Sequence, residues 1–117
     1  NDLFKFEKIN DLDLYLLLDL GHLAISSNIL KFDRYEYIEK CINNFSEKIF
    51  EIHISNNDEK NDLHSRVTKN CWQLKCLKKF INSGPKPNNT IFTYESRGLT
   101  IEQIIEDCDL IRSSIDS

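Results

Sequence analysis

Three short apolar runs in this 117-residue chain each end on a side chain able to hold a divalent metal. Leu16-Leu17-Leu18 leads into Asp19, Ile49-Phe50-Glu51-Ile52 into His53, and Ile91-Phe92-Thr93-Tyr94 into Glu95. Carboxylate with neutral imidazole suits zinc, manganese, iron or cobalt better than an all-oxygen calcium site. More groups of the same chemistry lie beside them. Asp19-Leu20-Gly21-His22 sets an imidazole three residues beyond a carboxylate, and Asp62-Leu63-His64 offers a second such pair. Singly, each has a plainer reading: Asp19 as a turn cap with His22 on the surface, His53 as a hydrogen-bonded core residue, Asp62 and His64 as a solvated loop. Glu95 ends an apolar strand, where a carboxylate is costly unless paired, exposed or metal-bound. Jointly, all three histidines of the chain fall at a run end or in the adjoining loop, and that coincidence points to a metal site.

The elements that would gather these groups can be read from periodicity. Short apolar runs rich in β-branched and aromatic residues predict strands over 15–19, 49–54 and 90–95. Asp19, His53 and Glu95 are 34 and 42 residues apart, the spacing of βαβ units. Tyr35, Ile38, Cys41, Ile42 and Phe45 form a one-sided stripe that predicts a helix over 33–45. Leu74, Leu77, Phe80 and Ile81 predict another over 71–82, stopped by Ser83-Gly84-Pro85-Lys86-Pro87-Asn88-Asn89. Thr100 and Gln103 make a capping box for a last helix, whose buried face reads as Ile101, Ile104, Ile105, Cys108, Ile111 and Ile115. Gly21 is expected to break the first strand, and Ser26-Ser27-Asn28 to lie in a loop before the helix at 33–45. Residues 1–14 read as polar and irregular, with Leu3, Phe4 and Phe6 the tail of an earlier helix. The fold class expected is α/β: three parallel strands, helices on one face, right-handed connections. Side chains at the carboxyl ends of such strands converge on one face.

Bulk properties narrow the function classes. A net charge of −4 and a pI near 5.3 give no basic footprint for nucleic acid. No run approaches the roughly 18 apolar residues of a membrane span, and no signal peptide is visible, so a cytoplasmic location is the expectation. Cys41, Cys71, Cys76 and Cys108 lack zinc-site spacing, and Cys41 and Cys108 read as reduced packing residues. The chain contains no methionine, so Asn1 is not a retained initiator, and the length fits a fragment. A closed eight-stranded barrel needs about 250 residues.

Leu-Asp-Leu-Gly-His at 18–22, Ile-His-Ile-Ser-Asn-Asn at 52–57, Asp-Leu-His at 62–64 and Tyr-Glu at 94–95 together resemble the xylose isomerase-like TIM-barrel superfamily. That superfamily includes sugar-phosphate isomerases and epimerases and the endonuclease IV enzymes. The resemblance covers about residues 15–112 and implies the last three βα units, the sixth to eighth strands, of a (β/α)8 barrel, with 1–117 a part of one domain. It implies Asp19, His53 and Glu95 as metal ligands, with a fourth, a glutamate, from a fifth strand upstream. His22 matches a position that contacts substrate in the isomerases and metal in the multi-zinc enzymes. Asp62 and His64 match a pair that holds a further zinc in the endonuclease branch. The glycine-containing segment that often follows that pair is absent from Ser65-Arg66-Val67-Thr68-Lys69-Asn70, which leaves the substrate class open. Arg66, Lys69 and Arg97 are candidate anion contacts, with solvent-exposed charge the alternative.

The activity implied is isomerisation or epimerisation of a sugar or sugar phosphate. A manganese, zinc or cobalt ion would polarise a hydroxy-carbonyl substrate, Glu95 would transfer protons through an enediolate, and His22 would bond a substrate oxygen. The alternatives are an endonuclease IV-like multi-metal phosphoester hydrolase and a truncated, non-catalytic barrel piece. The implied partners are the remaining barrel strands, from the same or another chain. The isolated chain is expected to be inactive and to self-associate through open sheet edges.

Overall fold

Short, largely apolar runs form three strands: β1 (Leu16–Asp19), β2 (Ile49–Ile54) and β3 (Ile91–Tyr94). They were located in a computed structural model, which describes residues 15–83 and 90–116. The strands form one sheet in the order β1-β2-β3, all parallel, as the spacing predicts. Four α-helices are described: α1 (Leu20–Leu30), α2 (Arg34–Phe45), α3 (Trp72–Ile81) and α4 (Ile101–Asp116). None is long and apolar enough to cross a membrane. The expectations for residues 1–14 and for the helix stop at 84–89 lie outside the described residues.

One face of the sheet is covered. Leu18, Ile52, Ile54, Phe92 and Tyr94 pack with Leu20, Leu23, Ile38, Ile42, Leu74, Leu77, Phe80 and Ile111, so every helix contributes to a single core. The opposite face carries Leu17, Asp19, Glu51, His53, Ile91 and Thr93 and is open, with Leu17 52% and Ile91 60% exposed. Successive strand residues point to opposite faces, and the register sets Leu17, Glu51 and Ile91 in one row, then Asp19, His53 and Thr93 in the next. A bulge makes this possible. Leu16 pairs with Ile49 but Leu17 with Glu51, so Phe50 is the extra residue. Ile49 therefore stays in the core, 1% exposed, while Glu51 and His53 turn to the open face.

Two expectations are corrected. Residues 20–30 are a helix, not a strand break and loop. Leu-Gly-His-Leu-Ala-Ile-Ser-Ser-Asn-Ile-Leu has no polar face to give a helical period, and its turn-like residues are absorbed by bonds. Asp19 caps the helix through the His22 N–H, the Ser27 hydroxyl donates to the Ala24 carbonyl, and the Asn28 amide donates to the Glu59 carbonyl. Gly21 serves close packing: a Cβ there would lie 2.2 Å from Ser55 Oγ.

The second correction concerns α4. Its capping box forms, with Thr100 and Gln103 bonding reciprocally, but only the later part of the apolar stripe, Ile111 and Ile115, packs on the core. Ile101 (73%), Ile104 (37%) and Ile105 (54%) are exposed, Cys108 is half-buried, and Asp107 and Ile111 point inward. The helix is rotated because Asp107, although charged, is paired inside the protein. The four cysteines are unpaired, with Cys41 and Cys76 buried and their thiols pushed up to about 12 by burial.

Candidate metal centre

The open face ends in a group of ionisable side chains supplied by all three strands. One ligand atom each from Asp19, His53 and Glu95 can be chosen so that all lie within 4.8 Å of one another. His53 Nδ1 is 3.0 Å from Glu95 Oε1 and 3.8 Å from Asp19 Oδ2. Asp19 and His53 are level across the sheet, and the Glu95 N–H bonds the Ile54 carbonyl, carrying β2–β3 pairing one residue further. The convergence follows from parallel pairing in register.

The two oxygens of Asp19 face different partners. Oδ1 accepts from the His22 backbone N–H at 2.9 Å and caps α1. Oδ2 faces His22 Nδ1 at 3.3 Å and His53. His22 then reaches Asp62, its Nε2 3.0 Å from Asp62 Oδ2. His64 Nε2 approaches the same oxygen at 3.1 Å. Asp62 thus lies between two imidazoles, and its second oxygen, Oδ1, is buried with no hydrogen-bond partner among the described residues.

The loop after β2 holds this second group by its amides. Asn56 and Ser65 pair through their backbones. The Asn57 side chain donates to the Gly21 carbonyl at 3.0 Å, and buried Gln73 donates to the Ser55 carbonyl and to Asn56. His64 has φ 51°, in the left-handed region that a non-glycine residue enters only at an energetic cost.

Charges in the group support one another. The hydrogen bond to Asp62 raises the His22 imidazole, with Asp19 and Glu95 adding to it against burial. Burial pulls His53 down, but the bond to Glu51 and the charges of Glu95 and Asp19 outweigh it and leave it raised. The bond to His22, joined by that to His64, holds the Asp62 carboxyl low.

Glu51 is the residue the sequence reading passed over as part of an apolar run. Its Oε1 is 2.9 Å from His53 Nε2 and also accepts from the Thr93 hydroxyl at 2.9 Å. These bonds, His53 first, hold its carboxyl low. A carboxylate on one imidazole nitrogen fixes the tautomer and directs the other nitrogen; here that other nitrogen is Nδ1, facing Asp19 and Glu95. Its position two residues before His53 in a strand was the available signal, since i and i+2 share a face.

The arginines differ. Arg66 is engaged with Asp107 and Glu106, and Arg97 is exposed. A cavity of about 880 Å³ along β1 is lined by Asp19, His22, Leu23, Phe32 and Tyr37 among others, so Asp19 and His22 border open space. The donor set suits a borderline divalent ion: two carboxylates, an imidazole oriented by a third carboxylate, and beside them the buried unpartnered oxygen of Asp62. Comparisons with protein-family models, with curated proteins and with solved structures give no match.

Proposed function

We propose that this chain supplies part of the metal-binding face of a βα-barrel enzyme that isomerises or epimerises a hydroxy-carbonyl sugar or sugar phosphate in the cytoplasm. The observation that carries the reading is the convergence of Asp19, His53 and Glu95 at the carboxyl ends of three parallel strands. These three would hold the ion, manganese, zinc or cobalt by their chemistry. Bound there, it would polarise the substrate carbonyl and acidify the adjacent C–H. Glu95, about one-third exposed, would take that proton and return it to the neighbouring carbon or the other face. His22, whose ring is exposed, would bond a substrate oxygen by giving up its contact with Asp19 or Asp62. Such transfers need placement to hydrogen-bond reach, which strand ends supply. The remaining barrel strands would come from the same or a partner chain.

A second reading has its own support. Asp62 Oδ2 between two imidazoles, with Oδ1 buried and unpartnered, suits a further ion, and clustered ions favour phosphoester hydrolysis. The acidic balance weighs against nucleic acid as its substrate. The full-length protein, assayed with keto- and aldo-sugars for solvent proton exchange and with abasic-site DNA for cleavage, separates the two. Chelation should abolish exchange, manganese, cobalt or zinc should restore it, and Glu95→Gln should leave little turnover. DNA cleavage with no exchange on any sugar would replace the first reading by the second.

A further inference from the structure

Asp107 lies on α4 as the most buried carboxylate among the described residues, 3% exposed, and the proposed reaction makes no use of it. Its Oδ1 accepts from Arg66 Nε at 3.2 Å and Nη2 at 2.9 Å. Its Oδ2 accepts from Arg66 Nε at 3.1 Å and from the Tyr94 hydroxyl at 2.6 Å. The partners come from the two segments, after β2 and at the end of β3, that carry candidate ligands. Arg66 stands two residues beyond His64 and four beyond Asp62, and Tyr94 immediately precedes Glu95. Arg66 and Tyr94 meet on the same carboxylate, so loop and strand end are joined through α4. The forked pairing with Arg66 adds fixed geometry as well as attraction.

We propose that Asp107 is a positioning residue for the centre, setting the loop bearing Asp62 and His64 and the strand end bearing Glu95 relative to each other through Arg66 and Tyr94. This rests on the metal reading above. Asp107 touches none of the candidate ligands, so it acts only through the backbones its partners hold. The two arms are separable. Tyr94→Phe removes a single hydroxyl and releases the Glu95 side, while Arg66→Met releases the loop side and keeps the aliphatic stem.

The test is Co(II) titration of the full-length protein, followed by the visible absorption of the ion, in wild type, Tyr94→Phe and Arg66→Met. Each is repeated in an Asp62→Ala/His64→Ala background that removes the candidate ligands carried by the loop. Thermal unfolding of the metal-free variants is measured alongside. Loss of an outer partner typically weakens metal binding about 10- to 100-fold, so each single variant is expected to lose about tenfold with an altered Co(II) band. In the Asp62→Ala/His64→Ala background, Tyr94→Phe should still weaken binding and Arg66→Met should not. A role confined to folding would lower the unfolding temperature while leaving affinity and spectrum of the folded protein at wild-type values, and that result would overturn the proposal. Equal losses from both variants in both backgrounds would also overturn it. If wild type takes up no Co(II), the metal reading itself fails and this inference falls with it. Uptake in wild type that His53→Ala abolishes keeps the reading whatever the clamp variants do.

Discussion

Replacing Gly21 by alanine sets two effects against each other, and the structure says which wins. Alanine is the better helix former, and the gain is at most about 1 kcal/mol. The new Cβ, however, would lie 2.2 Å from Ser55 Oγ, whereas ordinary contact begins at 3.4 Å. Ser55 is 2% exposed, and its carbonyl is bound by the Gln73 amide at 3.1 Å. Retreat of more than an ångström therefore means displacing the Ser55 hydroxyl within the core or lifting the first turn of α1 off β2. Overpacking of this kind costs about 1–3 kcal/mol, so after a helical gain of about 1 kcal/mol the expected net loss is up to about 2 kcal/mol. The lifted turn also carries the Asp19 cap and His22, so Co(II) affinity should fall with stability. Urea unfolding of Gly21→Ala, Ser55→Ala and the double variant gives the coupling directly, and the double variant should recover most of the loss. A Gly21→Ala protein more stable than wild type, with no further recovery in the double variant, would refute the reasoning, because helix propensity alone would then account for the position.

Glu51→Gln should lower Co(II) affinity about tenfold and Glu51→Ala by more, since the amide oxygen can still accept the His53 N–H while losing its charge; equal affinity in a titration would deny Glu51 its orienting role. Asp107 supplies the pH signature. Burial pushes its carboxyl up, but the bonds from Arg66 and Tyr94 outweigh that and hold it below the usual carboxylate range. A depressed folded value means stability that is present above the ordinary carboxylate pKa, about 3.9, and lost as pH falls through the folded value. Urea unfolding should therefore show wild type more stable than Asp107→Asn near neutrality, with the gap closing in acid. The isolated chain should self-associate through its open edges and the bare isoleucines of α4, and Ile105→Glu should reduce that in sedimentation velocity without lowering the unfolding temperature.

Most of the sheet was legible because its strands are short, apolar and bounded by turn residues, and strand ends are where parallel architecture gathers side chains. Asp19, His53 and Glu95 could be nominated for that reason before any coordinates. Helix α1 was not legible, because its polar residues, His22 and Ser26-Ser27-Asn28, fall among apolar ones without a helical period, and such a helix gains its stability from tertiary packing. The face of α4 was misjudged for a related reason. Periodicity ranks Asp107 as surface, and only its pairing with a residue 41 positions away makes an inward carboxylate tolerable. Glu51 was hidden inside a run read as hydrophobic, although strand alternation had already assigned it to the side of His53.

The bulge at Phe50 carries a consequence for how chain length can change over descent. A deletion within a strand ordinarily inverts every side chain beyond it. Losing Ile52 would put core residues in water and bury the imidazole. Phe50 is different, since it is the unmatched residue between the Leu16–Ile49 and Leu17–Glu51 pairs. It works as a phase-shifter between a stretch of β2 committed to the core and a stretch committed to chemistry. Insertions and deletions in a lineage of such proteins should collect at this joint and in the segment joining β3 to α4. The residues of β2 from Glu51 to Ile54 should keep an unbroken reading frame of alternating faces.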